Sequence, residues 1–140
     1  MAVEQIKAFQ VDSAEIVLTT TLTAAINSLK VFEYIGGVEG LPAVGSTMYR
    51  LLCVRNISFP TNMAGSLSKS EIASTNSAVL SIQKNGTQFA TITFDAAGTT
   101  GTFAGVATSF VVGDVLTVVA PTPQDATLSS IWFNLIGTVA

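Results

Sequence analysis

The sequence predicts an all-β domain of the sandwich or barrel type, and three observations lead to this prediction. Apolar and polar residues alternate with a period of two along most of the chain, and no stretch keeps the 3.6-residue apolar spacing of a helix. Turn residues separate these segments at intervals of about 8–12 residues. The chain has 140 residues, which is the length of one ordinary domain. We therefore expect about eight short strands around a single core.

The amino-terminal half is divided by glycine and proline. Residues 36–42 contain three glycines and a proline and predict a loop, and Pro60 ends the preceding strand because it has no N–H to donate. The Ser-rich residues 61–76 predict the longest loop, which has room for one short strand. Residues 24–29 suit a helical turn as well as a strand. The predicted strands are residues 14–22, 25–35, 48–59, 78–84, 87–95, 100–106, 115–120 and 131–137.

The carboxyl-terminal half contains the most specific local signal. Asn85-Gly86 joins two alternating strands, and this pair is favoured in a two-residue type I′ hairpin turn because both residues must adopt positive φ. Residues 115–120 are apolar on both faces, as expected of a strand that is covered on both sides. One side could face the core and the other a neighbouring subunit.

The chain carries few charges. Charged residues make up 11% of it, against about 25% in typical soluble domains. A monomer with so little charge would expose sizeable apolar patches, so the composition favours a homo-oligomer over a threonine-rich monomeric sandwich. The net charge is −3 and the six basic residues are scattered, which argues against nucleic-acid binding.

The amino terminus is expected to be a short arm, residues 1–13, before a β-sandwich domain, residues 14–140. It has no apolar stretch of the kind found in secretory signals, and no run approaches the roughly 18 apolar residues that span a bilayer. The sequence therefore predicts a protein made in the cytoplasm that does not bind a membrane.

The residue types needed for most catalysis are missing. The chain has no histidine, which is the commonest general base and metal ligand, and no phosphate-binding motif. Cys53 is alone and is expected to be a buried structural thiol. Two carboxylates would suffice for a glycosidase, but Asp95, Asp114 and Asp125 lie beside turns, where aspartate caps its own backbone. We therefore predict no enzymatic activity, no cofactor and no metal.

Three aromatic residues could form a platform for sugars. Tyr34, Tyr49 and Trp132 lie within predicted strands. An aromatic residue in a strand is more often part of a core or an interface, so we favour that interpretation over a carbohydrate site.

Five runs in the carboxyl-terminal half resemble a jelly-roll module of tailed bacteriophages. They are SIQKNGT at residues 81–87, ATITF at 90–94, TGTF at 100–103, GDVLTVVAP at 113–121 and DATL at 125–128. The resemblance covers about residues 78–138 and, more weakly, 48–65. It implies a jelly-roll-like antiparallel β-sandwich. Modules of this kind occur at the ends of tail fibres and as capsid decoration, or cement, proteins, usually as homotrimers, and they bring no catalytic residues.

The resemblance implies a structural virion protein. We expect a trimeric decoration protein on the outer capsid surface that bridges and stabilises capsomers of the major capsid protein. The alternative is a receptor-binding tip or accessory protein of a tail fibre, with a possible carbohydrate receptor; the short arm favours the first, since a fibre tip normally follows a shaft. The expected capsid contacts are Val3, Ile6, Phe9 and Val11, and the expected trimer interface is Val115, Val119, Trp132 and Ile136.

Overall fold

The structure is a computed structural model that describes residues 12–140, with side chains described from Thr19 onward. The chain divides into two compact units at the boundary between Val31 and Phe32. The helix α1 (Asp12–Leu29) belongs to the first unit. The second unit, from Phe32 to Ala140, is an all-β domain. The predicted arm, residues 1–13, lies almost entirely outside the described residues.

Helix α1 corrects the prediction for the amino-terminal region. Residues 14–22 were expected to be a strand and residues 25–35 a second, but both regions up to Leu29 are helical. The apolar residues in this stretch alternate locally and also recur every three or four positions, at Leu18, Leu22, Ile26 and Leu29. A short run that fits both periods does not distinguish a strand from a helix.

Ten antiparallel strands form the β domain, in place of the eight or so expected. Five pairs of strands are nested inside one another along the chain: β1 with β10, β2 with β9, β3 with β8, β4 with β7 and β5 with β6. The strands are β1 (Val31–Val38), β2 (Thr47–Leu52), β3 (Ile57–Phe59), β4 (Leu67–Ile72), β5 (Ala78–Lys84), β6 (Thr87–Phe94), β7 (Thr100–Gly105), β8 (Thr108–Phe110), β9 (Val115–Val119) and β10 (Ser129–Val139).

This nested ribbon is rolled into two four-stranded layers. One layer has the order β1-β10-β4-β7 and the other β2-β9-β5-β6, and the pairing of β6 with β7 connects them. Two such layers formed from one wound antiparallel ribbon are the jelly roll, so the predicted jelly-roll-like sandwich is confirmed. The additional pair, β3 with β8, lies where the ribbon passes from one layer to the other.

The predicted long strand, residues 48–59, is interrupted at this corner. Strand β2 pairs with β9, whereas β3 pairs with β8 and β10 in the other part of the ribbon. At the break, the N–H of Cys53 donates to the carbonyl of Asp114 and the N–H of Gly113 donates to the carbonyl of Cys53, both at 2.8 Å. Cys53 is 2% exposed, which confirms a buried thiol, and burial raises its pKa.

Two glycines that were expected in a loop lie inside β1. A Cβ added to Gly36 would lie 2.7 Å from Cε2 of Phe133, and one added to Gly37 would lie 2.6 Å from the carbonyl oxygen of Ile131. These glycines therefore permit the close approach of β1 to β10, and the prediction of a loop that begins at residue 36 is wrong. The predicted loop at residues 61–76 does contain one short strand, β4.

The predicted hairpin of β5 and β6 is confirmed. Asn85 and Gly86 have φ values of 49° and 85°, as a type I′ turn requires. The inward side chains of the hairpin, including Leu80, Ile82 and Ile92, have no exposed surface. They pack in one core with apolar residues of β9, β10 and β3, among them Leu116, Val118, Ile131, Phe133, Leu135, Ile57 and Phe59.

Candidate binding surfaces

The four residues expected at a trimer interface lie on opposite sides of the core. In β9, Leu116 and Val118 are fully buried, so Val115 and Val119 lie on the outer face of the layer β2-β9-β5-β6. Trp132 and Ile136 lie on the outer face of the other layer by the same alternation along β10. No single flat interface can include all four. The expected capsid contacts Val3, Ile6, Phe9 and Val11 are outside the described residues.

The outer face of β2-β9-β5-β6 is mainly polar at its centre. Thr117 is directly opposite Arg50 on one side and Gln83 on the other. A shallow depression of about 380 Å³ surrounds this row and is also lined by Val115 and Val119. The two valines therefore flank polar residues and do not form a continuous apolar patch.

The outer face of β1-β10-β4 is more apolar. Ile35, Leu67 and Trp132 expose about half or more of their side-chain surface. They line a groove of about 300 Å³ together with Lys69 and Asn134. The register places Trp132 opposite Lys69 and Asn134 opposite Leu67.

A larger cleft lies on the other side of Trp132. It has a volume of about 700 Å³ and is lined by the end of β1 and the following loop, by Glu71 of β4 and by the start of β10. We call it the indole cleft; its lining residues are Gly36, Gly37, Val38, Glu39, Gly40, Glu71, Ser130, Ile131 and Trp132. Within the part of the chain that the structure describes, neither Glu39 nor Glu71 has a hydrogen-bond or ion-pair partner.

The other two aromatic residues of the expected sugar platform are not part of this cleft. Tyr34 is buried, and its ring meets that of Tyr49 edge to face at 5.0 Å. Tyr49 in turn packs against Phe133 at a centroid distance of 6.4 Å. Tyr34 therefore belongs to the core, as the sequence favoured. Tyr49 is 37% exposed although its ring packs on two core residues, and Trp132 is 49% exposed.

Helix α1 presents a second apolar surface. All its side chains from Thr19 to Leu29 are exposed, and Leu22 and Leu29 expose 61% and 84% of their surface. In the sequence, leucine or alanine occupies positions 18, 22, 25 and 29, which is the alternating four- and three-residue spacing of a coiled-coil seam. No charged residue occurs between positions 16 and 29.

Asp114 closes the end of the β5–β6 hairpin. Its carboxylate accepts hydrogen bonds from the N–H of Val111 at 2.9 Å and from Nδ2 of Asn85 at 2.7 Å, and it pairs with Lys84 at 3.0 Å. These hydrogen bonds lower the pKa of Asp114 from 3.8 to about 2, and the one from Val111 has the largest effect. The carboxylate thus caps a turn, as predicted, and joins it to the hairpin.

Asp125 organises the opposite end of the domain. Burial raises its pKa, but hydrogen bonds from the backbone N–H groups of Asn76, Thr127, Leu128 and Thr75 outweigh this effect and hold the pKa well below its ordinary value. These donors lie 2.9–3.0 Å from the two carboxylate oxygens. Asp125 therefore has the predicted capping role and also connects two segments that are distant in sequence.

The three aspartates considered for catalysis do not form one site. Asp95 follows β6 at the open end of the hairpin, near Ser74, whose hydroxyl donates to the Asp95 carbonyl at 2.7 Å. Asp114 is at the turn end, seven residues of β5 away, or roughly 20 Å at about 3.3 Å per residue. Acid and nucleophile in a glycosidase are about 5–9.5 Å apart, so Asp114 cannot pair with either of the others.

The described residues contain no cluster of three or more histidine, cysteine, aspartate or glutamate side chains suited to a metal ion. Within the same part of the chain, no helix is both long and apolar enough to span a membrane. No protein-family model matches the chain, and a search of curated proteins finds no match.

The lowered pKa of Asp114 predicts a loss of stability in acid. A carboxylate with a lowered folded-state pKa contributes stability above its ordinary value near 4, and this contribution disappears as the pH falls through about 2. We expect the unfolding free energy, measured by urea titration from neutral pH to pH 2, to fall less steeply in D114N than in the native protein. Asp125 is present in both proteins. If their curves of unfolding free energy against pH were parallel, the acid-sensitive stability could not be assigned to Asp114.

Proposed function

We propose that this protein is a non-enzymatic structural protein of a phage virion. It acts as a homotrimeric decoration protein on the outer capsid surface and bridges subunits of the major capsid protein. The observation that carries the proposal is the exposed apolar stripe of α1, because association of copies of the chain would bury it. The jelly-roll fold supports it, although a fold alone does not define a function.

Helix α1 is poorly suited to exist alone in water. In proteins most helical stability comes from packing of an apolar face, and this segment has neither charged side chains along its central part nor buried side chains from Thr19 onward. Association of copies through positions 18, 22, 25 and 29 would bury the leucines in a shared seam. It would also remove from water some of the apolar surface that a monomer with so little charge exposes.

A trimer would also multiply weak attachments to a shell. Each subunit of a trimer can engage its own local site, so that modest contacts combine into tight binding. Capsid decoration requires binding surface and no chemistry, which agrees with carboxylates whose hydrogen bonds are structural. The residues we propose to contact the shell remain Val3, Ile6, Phe9 and Val11.

One observation favours the alternative, a receptor-binding tip of a tail fibre. The domain is preceded in the chain by helix α1, where strands were expected, and such a helix could continue a fibre shaft. Antibody labelling of intact particles separates the two locations. We expect label over the shell, and label confined to the tail end would exclude capsid decoration in favour of the fibre.

The role of α1 predicts a trimer that depends on its leucines. Light scattering at micromolar concentration should give the mass of three 14.5 kDa chains. The double variant L22K/L29K should give the mass of one chain, because charges in the seam would repel one another. N27K is the matched control, since position 27 faces away from the seam in the heptad pattern, and it should remain a trimer. A native mass of 14.5 kDa would contradict the trimer, and an unchanged double variant would contradict the role of α1.

A further inference from the structure

We propose that the indole cleft is a carbohydrate-binding site for neutral glycan chains. A sugar ring would place its apolar C–H face against the Trp132 indole and direct its hydroxyl groups to Glu39 and Glu71. This activity goes beyond the structural role proposed above. It would hold whether the protein decorates a shell or ends a fibre.

Trp132 is an exposed aromatic residue on a rigid support. Its two neighbours along β10, Ile131 and Phe133, are 0% and 1% exposed, so the strand is anchored in the core on either side of it. A Cβ at position 37 would lie 3.0 Å from both Cα and Cβ of Trp132. Gly37 therefore lets β1 lie directly against the backbone of β10 at Trp132, which a side chain at this position would prevent.

The polar groups of the cleft suit hydroxyl donors. Each carboxylate of Glu39 and Glu71 is acceptor-only and can receive several hydrogen bonds, and neither has a partner among the described residues. Hydrogen bonds of sugar hydroxyls to an ionised acceptor are charge-assisted and comparatively strong. Two carboxylates would repel a phosphate or an acidic sugar, which favours neutral glycans over acidic ones.

The loop that carries Glu39 is held in place before any ligand arrives. The N–H of Ser130 donates to the carbonyl of Gly40 at 2.9 Å, and the N–H of Gly40 donates to the hydroxyl of Ser130 at 3.3 Å. Gly40 and Ser130 both have positive φ, 72° and 52°. The paired hydrogen bonds fix the loop to the start of β10, so that binding a sugar requires little reorganisation.

The groove on the other side of Trp132 would extend the site. Lys69, Thr100 and Asn134 line it, and they supply donors where the indole cleft supplies acceptors. Burying two unpaired carboxylates under a protein partner would be costly, whereas a glycan can hydrogen-bond them and leave them partly hydrated. The chemistry of the cleft thus favours a sugar over a second protein surface.

Trp132 is the only tryptophan in the chain, so its fluorescence reports on the site directly. The native protein is first applied to an array of neutral bacterial polysaccharides together with chitohexaose and maltohexaose. We expect at least one array member to bind above background and, in titration, to give a saturable blue shift of Trp132 emission. No binding to any array member overturns the proposal.

Three variants test which residues bind the sugar. W132A should reduce array binding about tenfold or more, and E71Q should reduce it severalfold while preserving the fluorescence signal and the unfolding midpoint. V79A, at an exposed valine of the other layer, is the control and should bind as the native protein does. Unchanged binding by a folded W132A would overturn the proposal. If W132A fails to fold, E71Q decides the test, and unchanged binding by E71Q would then overturn the proposal.

Acrylamide quenching of the native assembly tests whether the cleft is open. We expect efficient quenching of Trp132, since it is half exposed in the subunit. A shielded tryptophan would mean that Trp132 lies in a protein contact, as the sequence led us to expect for the trimer interface, and it would overturn the carbohydrate site.

Discussion

Replacing Asp125 by alanine is expected to lower the free energy of unfolding by about 3 kcal/mol. The substitution leaves the backbone N–H groups of Thr75, Asn76, Thr127 and Leu128 without their acceptor. Leu128 is 1% exposed, so water cannot replace the carboxylate there. Urea denaturation followed by circular dichroism measures the change.

The variant D125N serves as the matched control. Asparagine keeps one oxygen and can still accept from Thr75, Thr127 and Leu128, but its amide group would face the N–H of Asn76. We expect a loss of about 1 kcal/mol for D125N. If D125A and D125N were equally stable, the network of hydrogen bonds would not have the structural importance that its geometry indicates.

Replacing Gly36 by alanine is expected to destabilise the domain by about 2–3 kcal/mol through overpacking. The new methyl group would lie 2.7 Å from Cε2 of Phe133 and 3.1 Å from Cγ of Tyr49. Phe133 is 1% exposed and packs in the core. Either its ring or strand β1 must therefore move.

A double-mutant cycle separates this clash from a general intolerance of substitution. F133L alone should cost about 1–2 kcal/mol because it leaves a cavity, and in G36A/F133L the added methyl group would occupy part of that cavity. We expect the double variant to be more stable than the sum of the two losses by about 1 kcal/mol. G86A is the control, because no atom lies within 4 Å of its added Cβ; its loss should be additive with that of F133L. An additive result for G36A would contradict the packing account.

The features that sequence predicted well are local. The Asn85-Gly86 turn depends on two adjacent residues that both adopt positive φ, and the alternation of its flanking strands depends on neighbours two positions apart. The capping roles of Asp114 and Asp125 likewise follow from the turns beside them. Each of these needs no knowledge of the rest of the chain.

The features that sequence missed depend on tertiary neighbours. Gly36 and Gly37 are typical of a loop, and only the approach of β10 shows that they belong to a strand. The apolar stripe of α1 is so short that the spacing of its residues fits an alternating strand as well as a helix. Glu39 and Glu71 join Trp132 only because β1, β10 and β4 are adjacent, and their sequence context carries no signal of this neighbourhood.

The nested pairing of the strands has a consequence for the order in which the chain can fold. The hairpin of β5 and β6 closes a loop of two residues, whereas each pair outside it must close a longer one if formed alone, and closure entropy grows with length. If the pairs form from the hairpin outward, each pair of strands brings the next two strands close together. The loop that those strands must close is then effectively shorter. This favours a zipper that begins at Asn85-Gly86 and ends with β1 on β10, in a domain whose many non-local pairings favour slow folding.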